Sequence, residues 1–422
     1  MLRIALYPHT MEFGGSQLNA IQLAGAMRDR GHEMTIISEP GPLVAHVNAL
    51  GLDHIEVPAG RRRPDARVAR ALSAICRERR IDIVHGHEWP PILEAVAGPG
   101  LNGVAVVGTV MSMSVAPFIP RGVPLTVGTE LIRQSALAAG HRHVDLLEPP
   151  VDTDTDAPSV DGTVFRHDHG FRQDETLVAM VCRLVRDLKL EGLLAACDAV
   201  AELGRAGAPV RLAIVGDGLA RAEVVRRAES INASVGRNLI VLTGELADPR
   251  PAYAAADIII GQGGSALRGI AFGKPLIVVG ENGFSELLTP EICPTFLRQG
   301  WYGLGPGTRG SGASAICDAL AILSDSSEFR SELGVFGRKL AEERFSLRHA
   351  AEVLERTYAL AMMQRHTLGA RLFDAGRSAA RLMAYKLDRK YKRWLGTAPT
   401  DDSNSRGQIA AVLNRVRSDG RP

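Results

Sequence analysis

An arginine and a lysine stand close together just after a predicted strand in the second half of the chain. Arg183 follows the aliphatic run 176–182 directly, and Lys189 comes six residues later. Two cations that converge on a diphosphate would bind it and would also offset the charge of a leaving nucleoside diphosphate. The charged surface of a solvated helix start would give the same pattern, so the spacing alone leaves both interpretations open.

Two glycine-rich loops, each between a predicted strand and a predicted helix, are candidate phosphate cradles. Glycines let a backbone approach a ligand closely, and the N-terminus of a helix favours negative charge. An ordinary turn between a strand and a helix uses the same residues, and the first loop lacks the Gly-x-Gly-x-x-Gly dinucleotide fingerprint. The first loop contains Gly14, Gly15 and Ser16, and the second contains Gly263, Gly264, Ser265 and Arg268.

A histidine is the remaining polar candidate, and no metal cluster accompanies it. His87 lies just past the predicted strand 81–85, where its imidazole could contact an acceptor or a donor sugar. A packed histidine at a strand end is the alternative. The Asp-x-Asp spacing typical of a metal site occurs at 152–154, but that segment is flanked by prolines and is interpreted as structural. The sequence therefore predicts neither a metal nor another cofactor.

The elements that position these residues alternate between short aliphatic strands and longer amphipathic helices. This alternation predicts α/β domains with parallel sheets, and ligands of such sheets lie beyond the carboxyl ends of the strands. Two Rossmann-like domains in tandem would face each other across a cleft. The predicted strands are 2–7, 33–38, 53–57, 81–85, 104–109, 125–128 and 144–148 in the first half, and 176–182, 211–215, 239–242, 257–260 and 276–279 in the second.

Breaks in this pattern predict the domain boundaries. Proline and aspartate crowd after residue 148, and no periodicity returns until about residue 176. The chain turns helical after about residue 311, and its end is polar and rich in Gly, Ser and Asp. We predict a first domain at 1–149, a linker at 150–175, a second domain at 176–345, C-terminal helices at 346–395 and a disordered tail at 396–422.

Composition limits the class of protein. The chain has 422 residues, 45% of them hydrophobic and 23% charged, with a net charge of +2, which is typical of a globular protein of two domains. No apolar run is long enough to cross a bilayer, and the N-terminus reads as a first strand rather than a signal peptide. The five cysteines have no paired spacing. These features favour a cytoplasmic protein and disfavour a binder of nucleic acid.

The segment 371–395 differs from the rest of the chain. Eight Lys or Arg residues face only two Asp residues there, with aromatic and aliphatic residues interleaved. This pattern is typical of a helix at an anionic membrane surface. A helix packed across the first domain with snorkelling cations is the alternative. We expect membrane-surface contact through 371–395, which would make the protein peripheral on the inner face of the membrane.

Several segments, in order from residue 1 to about 360, resemble glycosyltransferase family four, the retaining group 1 type glycosyltransferases of the GT-B fold. They are Gly14-Gly15-Ser16-Gln17, Asp82-Ile83-Val84-His85-Gly86-His87, Pro150-Val151-Asp152-Thr153, Arg183-Leu184 with Lys189, Val215-Gly216-Asp217-Gly218, Tyr253-Ala254-Ala255-Ala256-Asp257, Ala271-Phe272-Gly273-Lys274-Pro275-Leu276-Ile277, and Gly283 with Glu286. The resemblance implies a nucleoside-diphosphate-sugar donor, with the loop at Gly15 near its phosphates or sugar. It implies that Arg183 and Lys189 hold the diphosphate without a metal, although the family's spacing between these two is one residue shorter.

Three positions depart from the family pattern. The family places a pair of glutamates where this chain has Ile260 and Arg268, and a histidine where it has Met111. An arginine offers only donors, so it cannot accept hydrogen bonds from ribose hydroxyls as a glutamate does. A thioether cannot serve as an acid or a base. Arg268 could instead donate to a phosphate or to an acidic sugar, or it could point to solvent.

Three functions stay open on the sequence. The first is a glycosyltransferase acting on a glycan or lipid-linked acceptor in cell-surface polysaccharide or glycolipid synthesis. The second is a catalytically degenerate GT-B protein that binds a nucleotide or glycan as a partner subunit, which the missing glutamates favour. The third is a sugar-nucleotide epimerase of similar fold, which needs carboxylates or histidines that these loops hardly offer. We rank them in that order.

Overall fold

A computed structural model describes residues 1–58, 63–364 and 367–397. The chain divides into two compact units: unit 1 comprises Met1–Pro150 and the residues from Leu347 onward, and unit 2 comprises Val151–Ser346. Each unit contains one sheet with helices on its faces. No helix among the described residues is long and apolar enough to cross a bilayer.

The sheet of unit 1 has seven parallel strands in the order β3-β2-β1-β4-β5-β6-β7. Two consecutive residues of the first strand, Ile4 and Ala5, belong to apolar clusters on opposite faces of the sheet, so both faces are covered. Burial on both faces explains why the strands read as continuous aliphatic runs. All seven predicted strands are present: β1 Arg3–Tyr7, β2 Glu33–Ser38, β3 Asp53–Glu56, β4 Ile83–His87, β5 Ala105–Val110, β6 Leu125–Val127 and β7 Val144–Leu146.

Helices connect these strands and cover the sheet. The third helix begins after Asp65, whose side chain accepts a hydrogen bond from the N–H of Arg67 and so caps the helix. The first five helices are α1 Gly15–Asp29, α2 Val44–Ala49, α3 Ala66–Glu78, α4 Trp89–Ala97 and α5 Glu130–Ala138, and a 3-10 turn spans Pro99–Asn102.

The sheet of unit 2 has six strands in the order β10-β9-β8-β11-β12-β13. Five are parallel, and the last, a three-residue edge strand that the sequence did not reveal, pairs antiparallel with its neighbour. The strands are β8 Thr176–Val181, β9 Val210–Val215, β10 Ile240–Gly244, β11 Ile258–Gly261, β12 Leu276–Val279 and β13 Ser285–Leu287. Its helices are α6 Thr163–Asp168, α7 Leu190–Arg205, α8 Arg221–Val235, α9 Arg250–Ala255, α10 Gly264–Ala271, α11 Cys293–Gln299, α12 Gly312–Asp325 and α13 Ser327–Arg344.

The sequence predicted a linker at 150–175, and this prediction is wrong. All but the first of these residues belong to unit 2, and six of them form α6. Phe165 and Phe171 stack on each other inside the core of this unit. Sequence periodicity misses the segment because a six-residue helix is too short to show a repeat.

The last two helices, α14 Leu347–Met363 and α15 Leu368–Trp394, return to unit 1. Tyr358 of α14 is fully buried and contacts His85 of β4. Only two residues of α15, Ser378 and Leu382, are buried, so this helix lies on the surface of unit 1. Of the predicted disordered tail 396–422, all but residues 396 and 397 lie outside the described residues.

Each sheet reverses its strand order at one point. In unit 1 this switch lies between β1 and β4, and in unit 2 it lies between β8 and β11. Connections on the two sides of a switch run in opposite directions, which opens a crevice at the carboxyl ends of the two strands. The loops after these four strands carry most of the candidate residues.

Candidate functional site

Two cations without partners stand after β8 in unit 2. Arg183 is exposed and Lys189 is half-buried, and neither makes a hydrogen bond or ion pair within the described part of the chain. Burial lowers the pKa of Lys189, and the positive charge of Arg183 lowers it further. By contrast, Arg186 on the same loop is paired with Glu223. An anion would relieve the mutual repulsion of Arg183 and Lys189.

The loop that carries these cations is fixed by close backbone contacts. The N–H of Leu184 donates to the carbonyl of Asp217 at 2.8 Å. A Cβ at Gly216 would overlap the carbonyl oxygen of Cys182, and one at Gly218 would overlap that of Leu184. Both glycines also have φ between +137 and +149. These two glycines let two loops pack backbone to backbone.

The loop after β11 forms the second wall of this crevice. Ser265 closes it by donating to the carbonyl of Gln262 at 3.0 Å. The side-chain amide of Gln262 donates to the carbonyl of Leu188 at 2.6 Å and so ties this loop to the one that bears Lys189. A Cβ at Gly263 or Gly264 would meet nothing within 4 Å, so the space over the start of α10 is open. Sequence analysis missed Gln262 because an amide in a glycine-rich loop gives no distinctive pattern.

Glu281, two residues past the end of β12, supports the loop that bears Lys189, and sequence analysis also missed it. It is 4% exposed and accepts hydrogen bonds from the N–H of Leu188 at 3.2 Å and from the hydroxyl of Tyr302 at 2.9 Å. Leu188 has φ of 67, a conformation that non-glycine residues rarely adopt. The contacts of Gln262 and Glu281 hold it there and thereby set the position of Lys189.

The sequence left two outcomes open for Arg268, donation to a phosphate or acidic sugar and a solvent-facing side chain; the structure pairs it with an acid and leaves it 29% exposed. Its Nε donates to Oδ2 of Asp156 at 2.8 Å, and Asp156 is almost fully buried. Burial raises the pKa of Asp156, and Arg268 acts against that rise. The two terminal nitrogens of Arg268 have no hydrogen-bond partner among the residues described. The pairing was invisible in sequence because Asp156 lies 112 positions away.

The other two departures from the family pattern have a local explanation. Ile260 is fully buried in the core of unit 2 and has no polar role. Met111 packs partly buried against the core of unit 1, and its N–H donates to Glu88 at 2.9 Å. Glu88 also accepts from the N–H and hydroxyl of Ser112. The carboxylate of Glu88 thus joins the ends of β4 and β5.

In unit 1 the start of α1 leaves polar groups without partners. A Cβ at Gly15 would meet nothing within 4 Å, whereas one at Gly14 would overlap the side chain of Gln17. The hydroxyl of Ser16 is buried and has no hydrogen-bond partner in the described part of the chain. A buried polar atom without a partner is costly, so an external ligand with a donor or acceptor fits here.

His87 belongs to a cluster of three histidines at the switch of unit 1. It is 1% exposed, and both of its ring nitrogens lack hydrogen-bond partners. Its ring lies 4.6 Å from that of His85, which is itself bonded to Tyr358 and Thr109 at 2.7 Å each. His9 pairs with Gln17 at 3.1 Å. Of the three, His87 alone is bonded to nothing within the described residues.

Electrostatics keep this cluster neutral. Burial lowers the pKa of His85 to about 3 and lowers the pKa values of His87 and His9. Neutral imidazoles present one donor and one acceptor each, which suits sugar hydroxyls better than phosphate. Among the described residues, no group of three or more His, Cys, Asp or Glu side chains is placed to hold a metal.

Comparison with protein families places both units. The family model "Glycosyltransferase Family 4" matches residues 13–145, and "Glycosyl transferases group 1" matches residues 175–320. The two models cover one unit each and together about two thirds of the chain. No curated protein sequence matches it.

Solved structures agree on the fold. A glycosyltransferase from Rickettsia africae has a TM-score of 0.70 and 17% identity, over 86% of this chain and 99% of that one. HepE of Anabaena, solved in complex with UDP, has a TM-score of 0.67 and 14% identity, over 85% and 100%. An epimerase from Listeria monocytogenes, described as a UDP-N-acetylglucosamine 2-epimerase, reaches 0.61 with 14% identity over 86% and 98%.

The fold alone is therefore shared by transferases and epimerases, and the two family models decide between them. Both describe glycosyltransferases, and they match the two units in the order that the sequence predicted. The chain belongs to the family-four glycosyltransferases, and it is a glycosyltransferase enzyme with the two-domain GT-B fold.

Proposed function

We propose that the enzyme transfers a sugar from a nucleoside diphosphate to a glycan or lipid-linked acceptor with retention of anomeric configuration, in cell-surface polysaccharide or glycolipid synthesis. The observation that carries the donor assignment is the pair Arg183 and Lys189, which has no acidic partner among the described residues and stands at the strand-order switch of unit 2. Support also comes from HepE, which has been solved with UDP-glucose.

The residues divide the work by their chemistry. Arg183 and Lys189 bind the diphosphate and offset the charge that develops as the bond from the sugar carbon to the diphosphate breaks. Gly263, Gly264 and Ser265 place the start of α10 against a phosphate. Arg268, held through Nε by Asp156, donates to the donor from its two remaining nitrogens.

Unit 1 contributes the groups suited to hydroxyls. Gly14 leads into the start of α1, Gly15 leaves open space over it, and both ring nitrogens of His87 lack a hydrogen-bond partner among the described residues. We assign His87 to a hydroxyl of the donor sugar or acceptor. The proton of the acceptor hydroxyl passes to a phosphate oxygen of the departing nucleoside diphosphate as the new glycosidic bond forms, and the nucleoside diphosphate is released. The cations do the work that a metal does in other transferases, so no metal is required.

Unit 1, which we propose binds the acceptor, is proposed to face a membrane. Helix α15 carries cations together with exposed apolar residues, the pattern of a helix that lies in the interface. A lipid-linked acceptor would be presented at that surface. The protein would then work in the cytoplasm, bound peripherally to the inner face of the membrane.

The test is donor turnover by the purified chain. A panel of uridine and guanosine diphosphate sugars is incubated with membrane lipid extract in detergent, and nucleoside diphosphate release and glycoside product are measured. We expect turnover with at least one donor, unchanged by a chelator, abolished in Lys189→Ala and retained in Arg186→Ala. Activity lost in chelator and restored by manganese would contradict metal independence. Release of a free epimerised sugar instead of a glycoside would overturn the transferase assignment.

A further inference from the structure

A cavity of about 860 Å³ lies within unit 1, beneath the second half of α15. Its other walls are the segment 114–121, which follows β5, and helix α5. Three aromatic rings line it: the ring of Phe118 lies 5.2 Å from that of Trp89 and 5.1 Å from that of Tyr385. We name it the α15 cavity. It shares no residue with the candidate donor site.

The charge of the α15 cavity is strongly positive. Arg121, Arg381, Arg389 and Lys392 line it, and the one carboxylate, that of Asp388, is bonded to Lys392 at 2.8 Å. Neither Arg121 nor Arg381 forms an ion pair or hydrogen bond through its side chain within the described ranges. The carboxylate in the cavity is paired with Lys392 and not with either arginine, so the two arginines are arranged for an anion, and the guanidinium fork matches phosphate.

A buried histidine lines the same cavity as the two arginines. His141 is 6% exposed, and its Nδ1 is buried without a hydrogen-bond partner. Burial lowers the pKa of His141 to about 4, and the charges of Arg121 and Arg381 both contribute. At neutral pH this imidazole is uncharged and offers a further polar contact.

The outward face of α15 indicates where the anion comes from. Met383, Leu387, Tyr391 and Trp394 are 59–79% exposed, and their spacing of four, four and three residues puts them on one side. That side is opposite Leu382, which is buried against unit 1. A helix with an apolar outer face and cations on its inner side, over the cavity, matches the boundary between lipid tails and headgroups.

We propose that the α15 cavity binds the phosphate of an anionic glycerophospholipid, with Arg121 and Arg381 on the phosphate and the outward face of α15 in the lipid tails. The inference rests on the membrane contact proposed above and assigns it a specific headgroup site. A diffuse attraction of basic residues to a charged surface needs no cavity, so the two can be separated.

The experiment uses a lipid too short to form membranes. Dihexanoyl phosphatidylglycerol, below its micelle concentration, is titrated into the full-length protein by calorimetry, alongside dihexanoyl phosphatidylcholine and inorganic phosphate. The variants are Arg121→Ala/Arg381→Ala and the matched control Lys386→Ala/Lys390→Ala, which removes the same charge from α15 residues that do not line the cavity. Binding of vesicles with and without phosphatidylglycerol is measured in parallel.

We expect monomeric phosphatidylglycerol to bind, with at least about tenfold lower affinity in the arginine variant and less than about twofold change in the lysine variant. Equal loss in both variants, or no binding of the monomeric lipid, would overturn the headgroup site. Inorganic phosphate that binds as tightly as the lipid would overturn the lipid assignment. If vesicles bind but the monomer does not, the membrane contact survives and the cavity proposal fails. Unchanged circular dichroism and thermal unfolding show that the arginine variant is folded.

Discussion

The pairing of Arg268 with Asp156 makes a prediction in which stability and donor binding can be separated. Replacing Arg268 by methionine keeps the aliphatic volume but leaves the carboxylate of Asp156, which is 4% exposed, without its cation. Removing one partner of a buried ion pair costs about 3–5 kcal/mol. Since the side chain of Arg268 is 29% exposed, we expect the lower end, about 3 kcal/mol.

The double variant Asp156→Asn/Arg268→Met removes the stranded charge. It should recover most of that stability, measured by urea unfolding followed through Trp301, which lies in the core of unit 2. The loss in Arg268→Met alone should grow as pH rises. Without Arg268 the folded pKa of Asp156 lies further above its unfolded value, so stability present in acid is lost through that range.

Donor binding should respond differently. If the two unbonded nitrogens of Arg268 contact the donor, nucleotide-sugar affinity stays about tenfold lower in both the single and the double variant. Full recovery of affinity in the double variant would refute the donor role and leave Arg268 as a partner of Asp156 only. No loss of stability in the single variant would refute the pairing itself. A glutamate at position 268 would face the carboxylate of Asp156, so Arg268→Glu does not simply restore the family's residue.

Three further predictions concern other parts of the chain. Gly15→Val should fold normally but bind the donor about tenfold more weakly, because the space over Gly15 is open to a ligand, whereas Gly216→Ala should destabilise unit 2 by about 3 kcal/mol or more. Thermal unfolding measures the stability of the two variants, and calorimetry measures their donor binding. Unchanged donor binding by Gly15→Val would count against a phosphate-binding role of this loop. The free energy of unfolding of unit 1 should fall as pH drops below 6.5, by about 1.4 kcal/mol per pH unit for each of His85 and His141. Their folded pKa values are about 3 and about 4, so the unfolded chain binds more protons in this range. Hydrogen exchange of β4 peptides at pH 7 and pH 5 checks this, and equal protection at both pH values would contradict it. Trp394→Glu should weaken binding to anionic vesicles about tenfold or more, because an apolar side chain on the outward face of α15 is replaced by a charge. Unfolding should not change, because this side chain is 79% exposed. Unchanged vesicle binding would show that the outward face of α15 does not enter the bilayer.

The sheets could be predicted from sequence because burial on both faces produces continuous aliphatic runs. All twelve predicted strands are present, and the one strand missed, Ser285–Leu287, is a three-residue edge strand. Helix α6 was missed because six residues show no periodicity. In this chain, regular local patterns revealed long elements, and short elements held by distant contacts escaped.

The sequence identified candidate site residues but did not show which of them form pairs. The loop at Gly15 follows a strand at the switch point of unit 1. Arg183 with Lys189 and the loop at Gly263 follow the two strands at the switch point of unit 2, and the position of ligands at such points is a general rule. What sequence could not show is which charges are neutralised: Arg268 meets Asp156, and Arg186 meets Glu223, while Arg183 meets neither. Such pairings depend on three-dimensional approach, which no spacing encodes.

The central claim is that Arg183 and Lys189 hold the diphosphate of the donor, and nucleotide affinity tests it most directly. Calorimetry of the preferred nucleoside diphosphate with the unaltered enzyme, Arg183→Ala and Arg186→Ala compares two arginines three positions apart. One has no partner among the described residues, and the other is paired with Glu223. A charged hydrogen bond contributes about 1.5–3 kcal/mol, so Arg183→Ala should weaken binding at least about tenfold and Arg186→Ala less than about twofold. Equal affinities for all three proteins, with circular dichroism unchanged, would contradict the account.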